Sequence, residues 1–275
     1  FPYTTLFRSG GKFAVLTCYD FTTARLMAEA GVEVILVGDT YGEVCLGHDT
    51  TLRVRLDHLL TVTEAVRRGA PRALVIGDMP FMSYNTSVRE AIQNAGRLMK
   101  EGGCEAIKLE GGVDFAPTIQ AIVKAGIPVQ GHIGLTPQTA SALGGFKMQG
   151  RDAEAAKQII EDAKGLEQAG AFSMILEAVP APLGQLVSEA VNLPVIGIGA
   201  GPAFDGQVMV TYDMIGLFDK LVPKFVKQYT QTRKTILKAF KEYREDVLAV
   251  NFPGPEHSFK MADDALEALK KLVES

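Results

Sequence analysis

The chain has 275 residues, 47% of them hydrophobic and 22% charged, with a formal net charge of -4. That balance gives a globular protein with ample core and excludes disorder, and the acidic surplus excludes the basic footprint that nucleic acid or an anionic membrane requires. Cys18, Cys45 and Cys104 form no CxxC pair, no apolar run reaches the roughly 18 residues of a membrane span, and no secretion signal is present, so a reduced cytoplasmic setting and small-molecule ligands are expected.

Residues 1–9, FPYTTLFRS, lack an initiator Met and look like translated sequencing adaptor; they are expected to be a non-native tail outside the fold. From there strand-like apolar runs alternate with helix-spaced segments. FAVLTCYD precedes FTTARLMAEAG, VILVGD precedes LDHLLTVTEAVRRG, and ALVIGD precedes VREAIQNAGRLMKEGG. These helices close on Gly31, Gly69 and Gly102, residues suited to the left-handed conformation after a helix end. FAPTIQAIVKAGIP, AEAAKQIIEDAKGLEQAG and APLGQLVSEAVNLP follow, each leading into another apolar run. Seven strands are clear, and an eighth is expected at Met214 to Phe218.

Such alternation demands parallel strands with helical crossovers, and eight units of about 25 to 35 residues predict a closed (β/α)8 barrel. An open Rossmann sheet would carry GxGxxG after an early strand, and none is present. Lys220 to Val250 reads as one or two amphipathic helices, followed by the loop FPGPEHSF and a short helix, DDALEALKKLV. The expected division is one barrel domain over 10–259, the tail over 1–9 and a C-terminal helix over 260–275.

Six of the runs end on chemistry: Asp39, Asp78, Glu110, His132, Glu177 and the glycine cluster GIGAG at 197–201. In a parallel barrel these ends share the C-terminal face, where the active site lies. Lys108 and Glu110, two apart on one strand, both look inward if Ile107 and Leu109 face the helices. Buried charge needs a partner, so either Lys108 and Glu110 form a structural pair or a hard divalent cation such as Mg²⁺ joins the carboxylates of Asp39, Asp78 and Glu110. Glu177 closes an otherwise apolar strand, where desolvation would suit it to act as a general base, or else it caps a helix or pairs with a lysine. His132 stands between glycines, as a ligand-facing or a core histidine. GIGAG is either a phosphate loop or a steric glycine turn.

At these residues the chain resembles the ketopantoate (3-methyl-2-oxobutanoate) hydroxymethyltransferases. The resemblance is carried by LTCYDFTTARL, ILVGDTYGEVCLGHDTTL, AVRRGAP, GDMPFMSY, AIKLEGG, PVQGHIGLTPQ, LGGFKMQGR, MILEAVP, PVIGIGAG, DGQVMV, PKF and EHSF, from about residue 12 to 259. It implies a (β/α)8 TIM barrel of the phosphoenolpyruvate/pyruvate superfamily, assembled as a homodecamer. It also implies one Mg²⁺ per subunit on Asp39, Asp78 and Glu110, and an α-keto acid held by Asp39, Thr40, Asp78 and Lys108. Glu177 would be the proton acceptor and His132 would lie beside the substrate. The implied reaction moves a hydroxymethyl group from the cosubstrate 5,10-methylenetetrahydrofolate to 3-methyl-2-oxobutanoate, giving 2-dehydropantoate for pantothenate biosynthesis.

The chain departs from that family's pattern at several places. Thr40 stands for the usual Ser, Tyr41 and Glu43 replace an often apolar pair, Val62 stands where a His is frequent, and TLRVR at 51–55 replaces TLPVT. Two rivals remain at this level: another Mg²⁺-dependent α-keto acid enzyme of the phosphoenolpyruvate mutase/isocitrate lyase superfamily, which usually supplies a catalytic Cys, and a non-catalytic keto-acid-binding barrel.

Overall fold

The computed structural model describes residues 11–220 and 222–274; the expected tail over 1–9 lies outside them. Eight parallel strands close on one another in chain order: β1 Phe13–Thr17, β2 Val34–Val37, β3 Leu74–Asp78, β4 Ala106–Glu110, β5 Val129–Gly134, β6 Ser173–Glu177, β7 Val195–Ile198 and β8 Gly206–Met209. The seam is β8 on β1, with Phe13 opposite Gly206 and Leu16 opposite Met209. Around the strands run α1 Phe21–Glu29, α2 Tyr41–Val44, α3 Leu56–Gly69, α4 Val88–Arg97, α5 Ala116–Lys124, α6 Ala153–Gln168, α7 Ala181–Ala190 and α8 Thr211–Met214. Three of these helices start where the sequence supplies an N-cap oxygen. Asp20 accepts from the Thr23 amide at 2.8 Å, Ser87 from Glu90 at 3.2 Å and Asp152 from Ala155 at 2.9 Å.

Period-two alternation divides the core into two shells. Phe13, Val15, Leu36, Leu74, Ile76, Ala106, Ile175 and Ile196 fill the barrel's interior. Ile107, Leu109, Val75, Met174 and Leu176 face outward into the layer shared with the helices. On β4, Ala106 is therefore inside, and Lys108 and Glu110 follow it there at two-residue steps. The charges form the top layer of a packed core.

The eighth strand is not at Met214 to Phe218. Met214 ends α8, and residues 215–218 turn back on it, with Leu217 and Phe218 both donating to the Tyr212 carbonyl. The true β8 is short and half polar, with Gln207 exposed, and it follows β7 after only residues 199–205, with no helix between. Parallel neighbours ordinarily need a longer crossover. Here the buried ring of Phe204 packs where a helix would: a Cβ on Gly197 would lie 2.3 Å from that ring, and one on Gly184 2.7 Å. Gly197 of GIGAG thus has a steric role.

Helix ends also differ from expectation. Gly31 is left-handed at φ +77, but Gly69 is the last helical residue of α3, and after a π turn over Leu98–Gly102 it is Gly103, at φ +75, that reverses the chain.

Contacts divide the chain into two compact units, one up to Tyr229 and one from Thr230, whereas the expected barrel domain ran to 259. Within the second unit, α9 spans Thr232–Leu248 and α10 spans Asp263–Val273. The helix expected from Lys220 starts only at Thr232, after a stretch broken by Pro223. Among the described residues no helix is long and apolar enough to cross a membrane.

Candidate active site

Asp39, Thr40, Asp78, Lys108, Glu110, His132 and Glu177, the seven residues singled out from the sequence, all line one cavity of ≈ 50 Å³ at the C-terminal ends of the strands. A larger hollow of ≈ 430 Å³ lies at the opposite end, against Lys12, Phe13 and Gln207, and gathers no comparable set of acids and bases.

Lys108 Nζ donates to both Asp78 oxygens, at 2.8 and 2.7 Å, and to Glu110 Oε1 at 3.4 Å. The Asp39 amide donates to Asp78 Oδ2 at 3.1 Å. His132 continues the line, with Nδ1 3.3 Å from Glu110 Oε1 and Nε2 3.1 Å from Glu177 Oε2. Both contacts are off the straight line of a hydrogen bond. Asp39 has no ion pair among the described residues; its Oδ2 accepts from the Gln138 amide at 2.9 Å.

Burial and charge set the proton affinities. Burial, then Asp78, pushes the Asp39 carboxyl well above the usual carboxylate range. Burial also raises Asp78, against the pull of Lys108. In Glu110 burial is outweighed by Lys108 and His132, so it stays below its ordinary value. Burial works against the Lys108 ammonium, but Asp78, Glu110 and Asp39 hold it above the usual lysine value. His132 is likewise opposed by burial yet raised to about 9 by Glu110 and Glu177, so the imidazole is cationic near neutral pH.

Among the described residues no trio of His, Cys, Asp and Glu is already gathered in metal-holding geometry. Lys108 stands between Asp78 and Glu110, and Gln138 bridges Asp39 and Glu110. The donor chemistry nevertheless fits a hard divalent cation. Asp39, Asp78, Glu110 and Glu177 bring four negative charges and Lys108 and His132 two positive ones, so the ionised set carries -4 + 2 = -2. Oxygen-only carboxylate donors of that surplus suit Mg²⁺.

Three positioning residues were not foreseen. Gln138 donates its amide N–H to Glu110 Oε2 at 3.0 Å and its side-chain NH₂ to Asp39 and to the Met79 carbonyl. Tyr84 donates to Gln138 Oε1 at 2.8 Å and accepts from the Glu110 amide at 3.3 Å. Tyr19 Oη lies 2.5 Å from Thr40 Oγ1. Their signal was present in the segments LTPQ, GDMPFMSY and LTCYD, as polar residues in loops that follow strands.

Glu177 is aimed by its neighbour across the sheet. Gly134 has φ +88, and a Cβ there would lie 2.3 Å from the Glu177 carbonyl oxygen. Ala178, at φ +49, turns the chain immediately after the acid. Gly134→Ala is expected to cost about 1–3 kcal/mol and to lower any Glu177-dependent proton transfer at least about tenfold. Melting curves and proton-exchange rates on the variant check this, and wild-type values for both would remove Gly134 from that role.

The match to the ketopantoate hydroxymethyltransferase family model covers residues 4–255. The chain belongs to this family. Relatives of the ketopantoate hydroxymethyltransferase family named 3-methyl-2-oxobutanoate hydroxymethyltransferase include one from Enterococcus faecalis, 53% identical over 94% of this chain and 94% of its own length. Another, from Syntrophobacter fumaroxidans, is 55% identical over 94% of this chain and 91% of its own. Among solved structures, 2,3-dimethylmalate lyase, a member of the phosphoenolpyruvate mutase/isocitrate lyase superfamily, matches with TM-score 0.60 at 16% identity, over 96% of this chain and 91% of that one. Phosphonopyruvate hydrolase in complex with oxalate and Mg²⁺ matches with TM-score 0.62 at 11% identity, over 98% and 94%. These likenesses show a shared fold, the closed eight-stranded parallel barrel. None of the three cysteines lines the site, and burial pushes the thiols of Cys18 and Cys104 up to about 11 and about 12.

Proposed function

We propose that this chain transfers a hydroxymethyl group from 5,10-methylenetetrahydrofolate to 3-methyl-2-oxobutanoate, forming 2-dehydropantoate. The observation that carries the reading is the convergence of all seven side chains on one cavity, in a member of this family.

In this reading Asp39, Asp78 and Glu110 hold one Mg²⁺, which when bound would polarise the 2-oxo group. The two-charge surplus of the ionised site, and the absence of an ion pair at Asp39, support it. Lys108 and the Thr40 hydroxyl, held by Tyr19, receive the substrate carboxylate, and Asp39 and Asp78 face its oxygens. Glu177 takes the C3 proton onto its carboxylate. His132 Nε2, 3.1 Å from Glu177 Oε2, holds that carboxylate in position. Gln138 and Tyr84 keep the acids from drifting as charge moves. The carbanion attacks the donor's methylene carbon as one of its two C–N bonds opens, and water then displaces the other nitrogen, so that its oxygen becomes the product hydroxyl and tetrahydrofolate leaves with the protons. Assembly as a homodecamer in the cytoplasm belongs to the same proposal.

The test is solvent exchange. In D₂O with Mg²⁺ and no folate, the protein is expected to wash deuterium into C3 of 3-methyl-2-oxobutanoate, and to form 2-dehydropantoate once the donor is added. Keto acid binding with no exchange would leave a binding barrel and end the catalytic reading.

A further inference from the structure

Next to the keto acid cavity lies a second one of ≈ 190 Å³, and the two share Thr40, Pro137, Glu177, Ile198 and Val210. A molecule seated in the second cavity would therefore abut the carbon that Glu177 deprotonates. Its walls are largely apolar, with Phe146, Phe218 and Phe225 among them, and besides the shared Glu177 they carry two further acids, Glu43 and Asp213.

Asp213 is the unusual one. It is 7% exposed, and its Oδ1 is buried with no hydrogen-bond partner among the described residues. Burial alone pushes its carboxyl up to about 6. The cation nearest this pair in effect is Lys220, which acts on Glu43 and is itself bonded to the Gly47 carbonyl and Asp49. A buried acceptor without a donor is costly unless a ligand supplies one. Asp213 also makes no cap bond, since it lies inside α8, a four-residue turn.

The proposed donor has the matching chemistry. Its pterin is a flat ring system whose 2-amino group and N3–H form two adjacent donors, spaced to meet the two oxygens of one carboxylate. Its one-carbon unit must reach the cavity holding the keto acid. We propose that Asp213 recognises the amino-pyrimidine edge of the pterin, with the aromatic walls of the second cavity against its faces. This rests on the folate-dependent reading above. Glu43, on α2, stands at the same cavity and adds to its negative field.

The test compares the wild-type chain with Asp213→Asn, using 5,10-methylenetetrahydrofolate and the same donor lacking the 2-amino group. Asp213→Asn is expected to raise KM for the normal donor about 10- to 100-fold, the range of a charge-assisted hydrogen bond, with a smaller effect on kcat. Folate-free deuterium exchange by the variant reports that its fold and keto acid site survive. Wild type is expected to disfavour the desamino donor at least about tenfold in kcat/KM, and the variant less than about threefold. That wild-type discrimination needs no variant, so it stands even if Asp213→Asn folds poorly. Equal use of the two donors by wild type, or an unchanged KM in the variant, would overturn the assignment while leaving the folate reaction intact. Exchange by wild type with no transfer from the normal donor would remove the folate reading, and the Asp213 assignment with it.

Discussion

Glu177→Gln is expected to reduce deuterium exchange into 3-methyl-2-oxobutanoate by about 10³-fold or more, within the range of a lost general base, while the variant still binds the keto acid. The substitution keeps the shape of the side chain and removes only its charge and basicity. Isothermal titration and exchange measured side by side check it, and exchange at the wild-type rate would take Glu177 out of the base role. A second signature comes from His132. Its folded pKa of about 9 lies above the ordinary 6.5, so the stability it contributes is fully present below about pH 6.5 and is lost as pH rises through 9. Glu177 is one of the two acids that raise it. In metal-free protein the wild type should lose on the order of 1–3 kcal/mol between pH 6.5 and 9.5, and Glu177→Gln should lose less. Urea titrations at the two pH values with a chelator present give the comparison.

Lys108→Met is expected to be the most destabilising single change at the site. Lys108 and Asp78 are both almost fully buried and in direct contact, and Glu110 shares the ammonium. Removing the cation leaves three acids in a dry barrel mouth, and breaking a buried pair in this way costs about 3–5 kcal/mol. The sign with pH follows from who is left. Carboxylates stripped of Lys108 have folded pKa values raised above their unfolded ones, so the folded state binds more protons and stability falls as pH rises past about 4. The deficit should therefore be large at pH 8 and shrink toward pH 5. In the wild type the sign is the same for Lys108 itself but the window is far higher: its raised value contributes stability that persists until pH exceeds the ordinary lysine range. Equal destabilisation at pH 5 and pH 8 would show that packing of the lysine stem, not its charge, is what matters.

The barrel and its charged mouth were legible in the sequence because both follow from periodicity. An apolar run ending in Asp or Glu, repeated, leaves few alternatives to strands sharing one face, and the two-residue step from Lys108 to Glu110 fixes their common direction. What stayed hidden lacks a period. Residues 206–209 contain one exposed glutamine and follow a seven-residue loop, so neither hydrophobic pattern nor alternation with helices marks them as β8, while the more apolar MIGLF nearby looked better and is a turn. Gln138, Tyr84 and Tyr19 are uncharged, and their importance comes from bonds made across 99, 26 and 21 residues of chain. Such partners are set only once the loops are in place. Glu177 was expected in apolar surroundings, whereas its nearest partner is the His132 imidazole.

The charges proposed to bind and deprotonate are also the uppermost course of the barrel's filling, stacked directly on Ile76 and Ala106. A lineage abandoning the chemistry could not simply let these residues wander one at a time, since any lone survivor would sit in oil without its counterpart. It would first have to plug the mouth with aliphatic side chains.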